Sequence, residues 1–192
     1  MRNEIANFRN YLARITYMDD ESFENAMDSF KVESLTRGEF LVQEGRIFNK
    51  VVYINEGLFR IFYLKEGVEI NTCFCKENSV TTSFNSFINN IPSTENIQAL
   101  ENSVIVTLSS ENLKKLQDQF PQWQMVSRLL TEKECLRLSD RNNFLSFETA
   151  LDKYKQLLQT QPDLLQRVSV QHLASYIGVS RETLSRIRAQ IG

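Results

Sequence analysis

Gly178 constrains this chain more than any other single residue. Glycine accepts a left-handed backbone at little cost, and one set directly after a helical repeat turns the chain through a corner. Leu173 and Ile177 repeat at helical spacing just before it. Ser180, just after it, can cap a new helix whose Leu184, Ile187 and Ile191 recur at three- and four-residue steps. Ala174 supplies a small side chain on the side where two crossing helices meet, and the outward face of the second helix carries Arg181, Glu182, Ser185 and Arg186. Corner, cap, small residue and polar tip together predict a helix-turn-helix rather than an ordinary helical hairpin with a solvated face. The second helix of such a pair places its N-terminal side chains against base edges in the major groove.

Upstream, the texture is different. Glu4–Tyr17 carries a helical stripe of Ile5, Phe8, Leu12 and Ile15, and Asp19 or Asp20 caps a second helix holding Phe23, Ala26, Met27 and Phe30. From Lys31 to Leu108, short β-prone runs alternate with turn signals: Lys31–Leu35, Phe40–Val42, Val51–Ile54, Leu58–Leu64, Val68–Cys75, Ile97–Ala99 and Val104–Leu108. Strands of this length, with glycine corners such as Gly57 and Gly67, predict a β-sandwich or roll. Glu111–Gln119 reads as a short helix, and a long one starts at Pro121. Its stripe of Trp123, Val126, Leu129, Leu130, Lys133, Leu136, Arg137 and Asp140 turns charged toward its end, which suits a cover for the roll or a dimeric coiled coil. Phe144–Phe147 reads as a hinge. Glu148–Thr160 is a further helix, with Ala150, Leu151, Tyr154, Leu157 and Leu158 set to pack on the helix-turn-helix.

Two stretches carry a resemblance to a known family. Gly178-Val-Ser-Arg-Glu-Thr-Leu-Ser-Arg186 resembles the recognition helix of the Crp/Fnr family of bacterial transcription regulators. Arg37-Gly-Glu-Phe-Leu-Val-Gln-Glu-Gly45 and Tyr53-Ile-Asn-Glu-Gly57-Leu-Phe-Arg-Ile61 are similar to that family's cyclic-nucleotide-binding β-roll. The resemblance implies an α+β chain. Its parts are an N-terminal double-stranded β-helix or jelly-roll sensor over residues 1–120, a dimerisation helix and hinge over 121–146, and a helix-turn-helix domain over 147–192. It implies base reading by Arg181, Glu182 and Arg186 and phosphate contacts from Ser169, Gln171, Ser180 and Thr183. Arginine forks onto guanine O6 and N7, and a carboxylate accepts from cytosine N4. The family pairs through the long helix, which makes Val126, Leu129 and Leu136 its dimer contacts here. Double-stranded DNA, a second copy of the chain, a small-molecule effector and RNA polymerase are the partners implied, in the cytoplasm and away from membranes. The family continues into a β-hairpin wing where this sequence stops, so wing contacts are expected to be absent.

The family's ligand pattern breaks down. Cyclic-nucleotide binders present Phe-Gly-Glu on a short helical segment and Arg-Ser/Thr-Ala about ten residues on, for the ribose hydroxyl and the phosphate. Alignment on Ala99-Leu100 puts Thr82-Ser83 at the first pattern and Ser93-Thr94-Glu95 at the second. The phosphate arginine and ribose glutamate are missing, and the charge-assisted contact they provide is hard to replace. Thr82, Ser83, Ser93 and Thr94 are then candidates for a neutral polar ligand, or the roll is kept as scaffold alone. A response to cAMP is not expected.

Charge and composition bear on the remaining classes. Net charge is −2, but from Phe147 onward six basic residues face four acidic ones, so an acidic body carries a mildly basic tail. No apolar run approaches the ~20 residues that cross a bilayer, and the N-terminus lacks a signal-like apolar core. Three cysteines, Cys73, Cys75 and Cys135, give no disulfide framework and cannot supply a four-cysteine cluster. His172 is the only histidine, so no metal set of the cupin type exists and no metal or cofactor is expected. No phosphate-binding glycine loop or nucleophile triad points to an enzyme. The competing reading is a ligand- or redox-sensing module, the latter through Cys73 and Cys75, whose C-terminal helices bind a protein partner.

Overall fold

The computed structural model describes residues 2–191. The chain is mixed α+β, in the order α1 (Arg2–Ala13), α2 (Asp20–Glu24), a 3-10 turn (Met27–Ser29), β1 (Phe30–Leu35), β2 (Phe40–Val42), β3 (Lys50–Glu56), β4 (Leu58–Lys65), β5 (Val68–Lys76), β6 (Ser79–Thr81), α3 (Phe84–Asn89), β7 (Asn96–Ala99), β8 (Ser103–Ser109), α4 (Ser110–Gln119), α5 (Pro121–Phe147), α6 (Ala150–Thr160), α7 (Pro162–Arg167), α8 (Val170–Ile177) and α9 (Arg181–Ile191). Two four-stranded sheets, ordered β1-β8-β3-β6 and β2-β7-β4-β5, form the roll. Among the described residues, no helix is long and apolar enough to cross a membrane.

The chain divides into two compact units, residues 1–61 with 74–133 and residues 62–73 with 134–192. In the first, strand alternation sorts the side chains of β3 and β8. Val51 and Tyr53 pair with Leu108 and Val106, and this face meets the helices in one core with Phe8, Phe30, Leu116 and Trp123. Val52, Ile54 and Ile105, on the alternate positions, are fully buried. Phe30 packs edge-on against Phe8 with ring centroids 5.4 Å apart, and the Trp123 indole N–H donates to the Ser22 carbonyl at 3.1 Å. Aromatic burial with the polar edge satisfied ties the N-terminal helices to the start of α5.

Gly57 closes the β3–β4 corner at φ +103°, and a Cβ there would lie 2.9 Å from the Ser103 Cα, so backbone would have to move. Gly178 also has positive φ, +87°, but faces open space. Gly57→Ala is therefore expected to lower stability by about 1–3 kcal/mol and Gly178→Ala by about 1 kcal/mol, backbone strain alone. Urea unfolding of the two variants checks this order.

The second unit builds its own core from Tyr154, Leu157, Leu164, Val168, Leu173, Ala174, Ile177, Leu184 and Ile187, all buried. Each helix start is fixed by a side-chain cap where the sequence offers one: Thr149 accepts from the Asp152 N–H and Ser169 from the His172 N–H. Pro162 opens α7, where a missing N–H costs nothing.

Several expectations are corrected. Phe30 begins β1, because the second helix stops at Glu24. The Phe144–Phe147 hinge is absent: α5 runs through Phe147, and the break falls between Phe147 and the Thr149 cap. Ile191 is 38% exposed rather than inward. Val126, expected at a dimer contact, is 3% exposed and lies in the core of the first unit, whereas Leu136 is 68% exposed.

Candidate nucleic-acid interface and roll hydroxyls

The α8–α9 corner is closed by two backbone bonds. The Gly178 and Val179 N–H groups both donate to the Ala174 carbonyl, at 2.9 and 3.0 Å, so the left-handed glycine satisfies the end of α8 as it turns the chain. Ser180 then caps α9: its Oγ accepts from the Thr183 N–H at 3.2 Å and shares a hydrogen bond with the Thr183 Oγ1 at 3.1 Å. Leu184 and Ile187 anchor the inner face. Arg181, Glu182, Ser185 and Arg186 are left exposed on the first turns.

The charges on that face are pre-ordered. Arg186 reaches back one turn to donate to Thr183 Oγ1 at 3.3 Å. The carboxyl of Glu182 is held below the ordinary glutamate range, first by its own backbone N–H, then by the Ser180 hydroxyl and by the charges of Arg181 and Arg186. It is ionised at neutral pH and can only accept hydrogen bonds. Ser169 and Gln171, at the start of α8, are also exposed. Because the Ser169 Oγ accepts from the His172 N–H, its own proton is left to donate.

A second contact within this unit went unread in the sequence. Ser175 on α8 donates to the Glu69 carbonyl at 2.7 Å and accepts from the Asn71 N–H at 3.0 Å. Arg141 stacks 3.9 Å from the Tyr176 ring centre and donates to the Tyr176 carbonyl at 2.7 Å. Burial pushes the Arg141 guanidinium below its ordinary range and the Tyr176 phenol above its own. The outer half of the β4–β5 hairpin and the end of α5 thus both grip the first helix of the pair. A serine and an arginine spaced across more than thirty residues leave no local pattern to find.

At the ligand position of the roll the hydroxyls are spent internally. Ser93 Oγ donates to the Glu95 carbonyl at 2.8 Å, so its 2.9 Å bond with Ser83 must be donated by Ser83. Thr82 donates to the Lys50 carbonyl at 2.8 Å, while Thr94 is exposed. Ser83 and Ser93 are brought together; Thr82 is turned to another backbone. Arg60 is buried and forks onto Gln98 Oε1 at 2.9 and 2.7 Å. Among the described residues, no group of three or more His, Cys, Asp or Glu side chains is placed to hold a metal.

Residues 32–120 match the model of the cyclic nucleotide-binding domain. No curated protein matches the sequence. Among solved structures, FixK2 from Bradyrhizobium japonicum is similar with a TM-score of 0.72 at 19% identity, over 84% of each chain. CLP of Xanthomonas campestris, described as a c-di-GMP-responsive global regulator, gives 0.72 at 18% identity over 90% of this chain and 91% of its own. The Thermus thermophilus catabolite activator protein gives 0.59 at 19% identity over 94% and 86%. Residues 32–120 are thus similar to a cyclic nucleotide-binding domain, and the chain shares its fold with FixK2, CLP and the catabolite activator protein.

Proposed function

We propose that the protein is a sequence-specific DNA-binding transcription regulator that acts as a homodimer. The observation that carries this is the exposed start of α9, where Arg181, an ionised Glu182 and Arg186 stand free of the core beside a capped corner. α8 and α9 serve as the helix-turn-helix, with Arg181, Glu182 and Arg186 reading bases and Ser169, Gln171, Ser180 and Thr183 contacting phosphate. Pairing of two copies runs along α5 through Met125, Leu129 and Leu136, which recur on one face. Output passes to RNA polymerase. Anisotropy titrations of genomic duplexes test the reading. A small subset bound at least 1,000-fold above the rest is expected at physiological salt; weak binding of every fragment alike would contradict it and favour a protein partner for α8 and α9.

The roll does not respond to cyclic nucleotides in this reading. A cyclic phosphate would meet Ser93 where the arginine is wanted, and the protons of Ser83, Ser93 and Thr82 are already donated within the chain. An anion without a charge-assisted partner stays in water. Calorimetry with cAMP and cGMP should show no binding below the millimolar range; micromolar affinity for either would contradict this.

A further inference from the structure

The first unit holds a cavity that shares only Thr82 with the roll hydroxyls. Its volume is about 110 Å³, and its walls are Phe8 from α1, Tyr53 from β3, Phe87 from α3 and Trp123, Val126 and Leu130 from α5, with other apolar side chains between them. None of its lining residues carries a charge. It is partly open to solvent, and Phe84 and Ile88 on its wall are exposed.

Its polar atoms define what can enter. The lining includes three aliphatic hydroxyl residues, Thr82, Ser127 and Thr131, besides Tyr53. Thr82 donates to the Lys50 carbonyl at 2.8 Å, Ser127 to the Trp123 carbonyl at 2.9 Å and Thr131 to the Ser127 carbonyl at 2.8 Å. The Tyr53 hydroxyl bonds Asn78 Oδ1 at 3.0 Å and the Trp123 indole N–H donates to the Ser22 carbonyl. Every side-chain donor in the wall is thus committed, while oxygen lone pairs on Thr82 and Thr131 remain. An anion would find neither a cation nor a free side-chain donor and would forfeit its hydration. A ligand with one O–H or N–H of its own could still place it on an acceptor.

We propose that this cavity is a binding site for a small uncharged apolar molecule, a single ring or short alkyl chain bearing at most one hydrogen-bond donor. The volume is of the right order, since a closed apolar cavity of ~150 Å³ takes up benzene, and the apolar wall here leaves one side open for entry. A second copy of the chain is a different occupant and uses a different surface. At about 100° per residue, Met125 and Leu129 lie roughly a third of a turn around α5 from the centre of the Trp123, Val126 and Leu130 lining. The site also differs from the ligand position of the roll: Thr82 borders both, but Ser83 and Ser93 are not part of this wall.

The cavity wall contains the only tryptophan of the chain, so intrinsic emission reports occupancy directly. The full-length protein is titrated with benzyl alcohol and, separately, with benzoate, which keeps the ring but adds a negative charge. Benzyl alcohol is expected to change Trp123 emission saturably and to raise the melting temperature, with benzoate at least tenfold weaker. Val80→Phe, from the wall strand β6, should fill the space and weaken benzyl alcohol at least tenfold while the protein still melts cooperatively; Leu130→Phe serves the same purpose from α5. No saturable change, equal affinity for benzoate, or undiminished binding by a folded filled variant would each overturn the proposal. The readout involves no DNA, so it stands or falls apart from the regulator reading.

Discussion

Leu136→Asp is expected to leave the protein folded but monomeric. The side chain is 68% exposed, so its replacement removes little that holds the chain together. In the proposed dimer it serves assembly: Met125, Leu129 and Leu136 follow one another by four and seven residues along α5, the spacing of a seam rather than of a buried stripe. Burying a carboxylate in an apolar contact without a partner costs several kcal/mol, order of magnitude, and a two-fold axis applies that cost twice. A dimer dissociation constant raised at least 100-fold follows. Binding to a two-half-site duplex should fall with it, because each monomer then holds a single half-site without its linked neighbour. Sedimentation velocity over a dilution series measures the first effect and anisotropy the second. An unchanged dimer would move the interface away from this face. Leu129→Asp is the companion variant, half-buried in the single chain and so expected to cost some folding stability as well.

Val126 shows why sequence spacing located the helix but not its seam. Both sides of α5 carry apolar residues: Trp123, Val126 and Leu130 turn toward the roll, and Met125, Leu129 and Leu136 turn outward. A stripe read at three- and four-residue steps merges the two faces and so groups Val126 with Leu129. Short strands are legible where the run is apolar, as Phe40-Leu-Val42 is in β2. β6 was not, since Ser79-Val80-Thr81 offers one apolar residue and exists by pairing with β3. α7 was hidden for a similar reason, a six-residue helix marked by little more than Pro162. The corner at Gly178 was legible because its signals are all local: glycine, cap and apolar repeat lie within ten residues. The committed hydroxyls of Ser83, Ser93 and Thr82 and the grip of Glu69, Asn71 and Arg141 on α8 are contacts across distant segments, which only the folded chain brings together.

In the proposed complex the first turns of α9 read bases. Arg186 lies one helical turn beyond Glu182, so both can enter one groove while Arg181 reaches a neighbouring pair. Arg186 also donates to Thr183 Oγ1, which holds its guanidinium against the first turn of α9. Two such helices on a two-fold axis should select a pseudo-palindrome with half-site centres about one DNA turn, ~10 bp, apart. Losing one bidentate arginine–guanine pair costs roughly 1–3 kcal/mol on the cognate site and relaxes preference at that guanine alone. Losing a phosphate contact weakens all sequences about equally.

Selection from random duplexes with the wild type, Arg186→Ala and Thr183→Ala separates these outcomes in one measurement. The wild type and Thr183→Ala should return the same pseudo-palindrome, Thr183→Ala at uniformly lower affinity. Arg186→Ala should return it with one position in each half-site degenerate, and its binding to unrelated DNA should change only by a small loss of salt slope. If Arg186→Ala instead lowers affinity across all sequences and leaves the selected motif intact, Arg186 is a backbone clamp and the base-reading assignment is wrong.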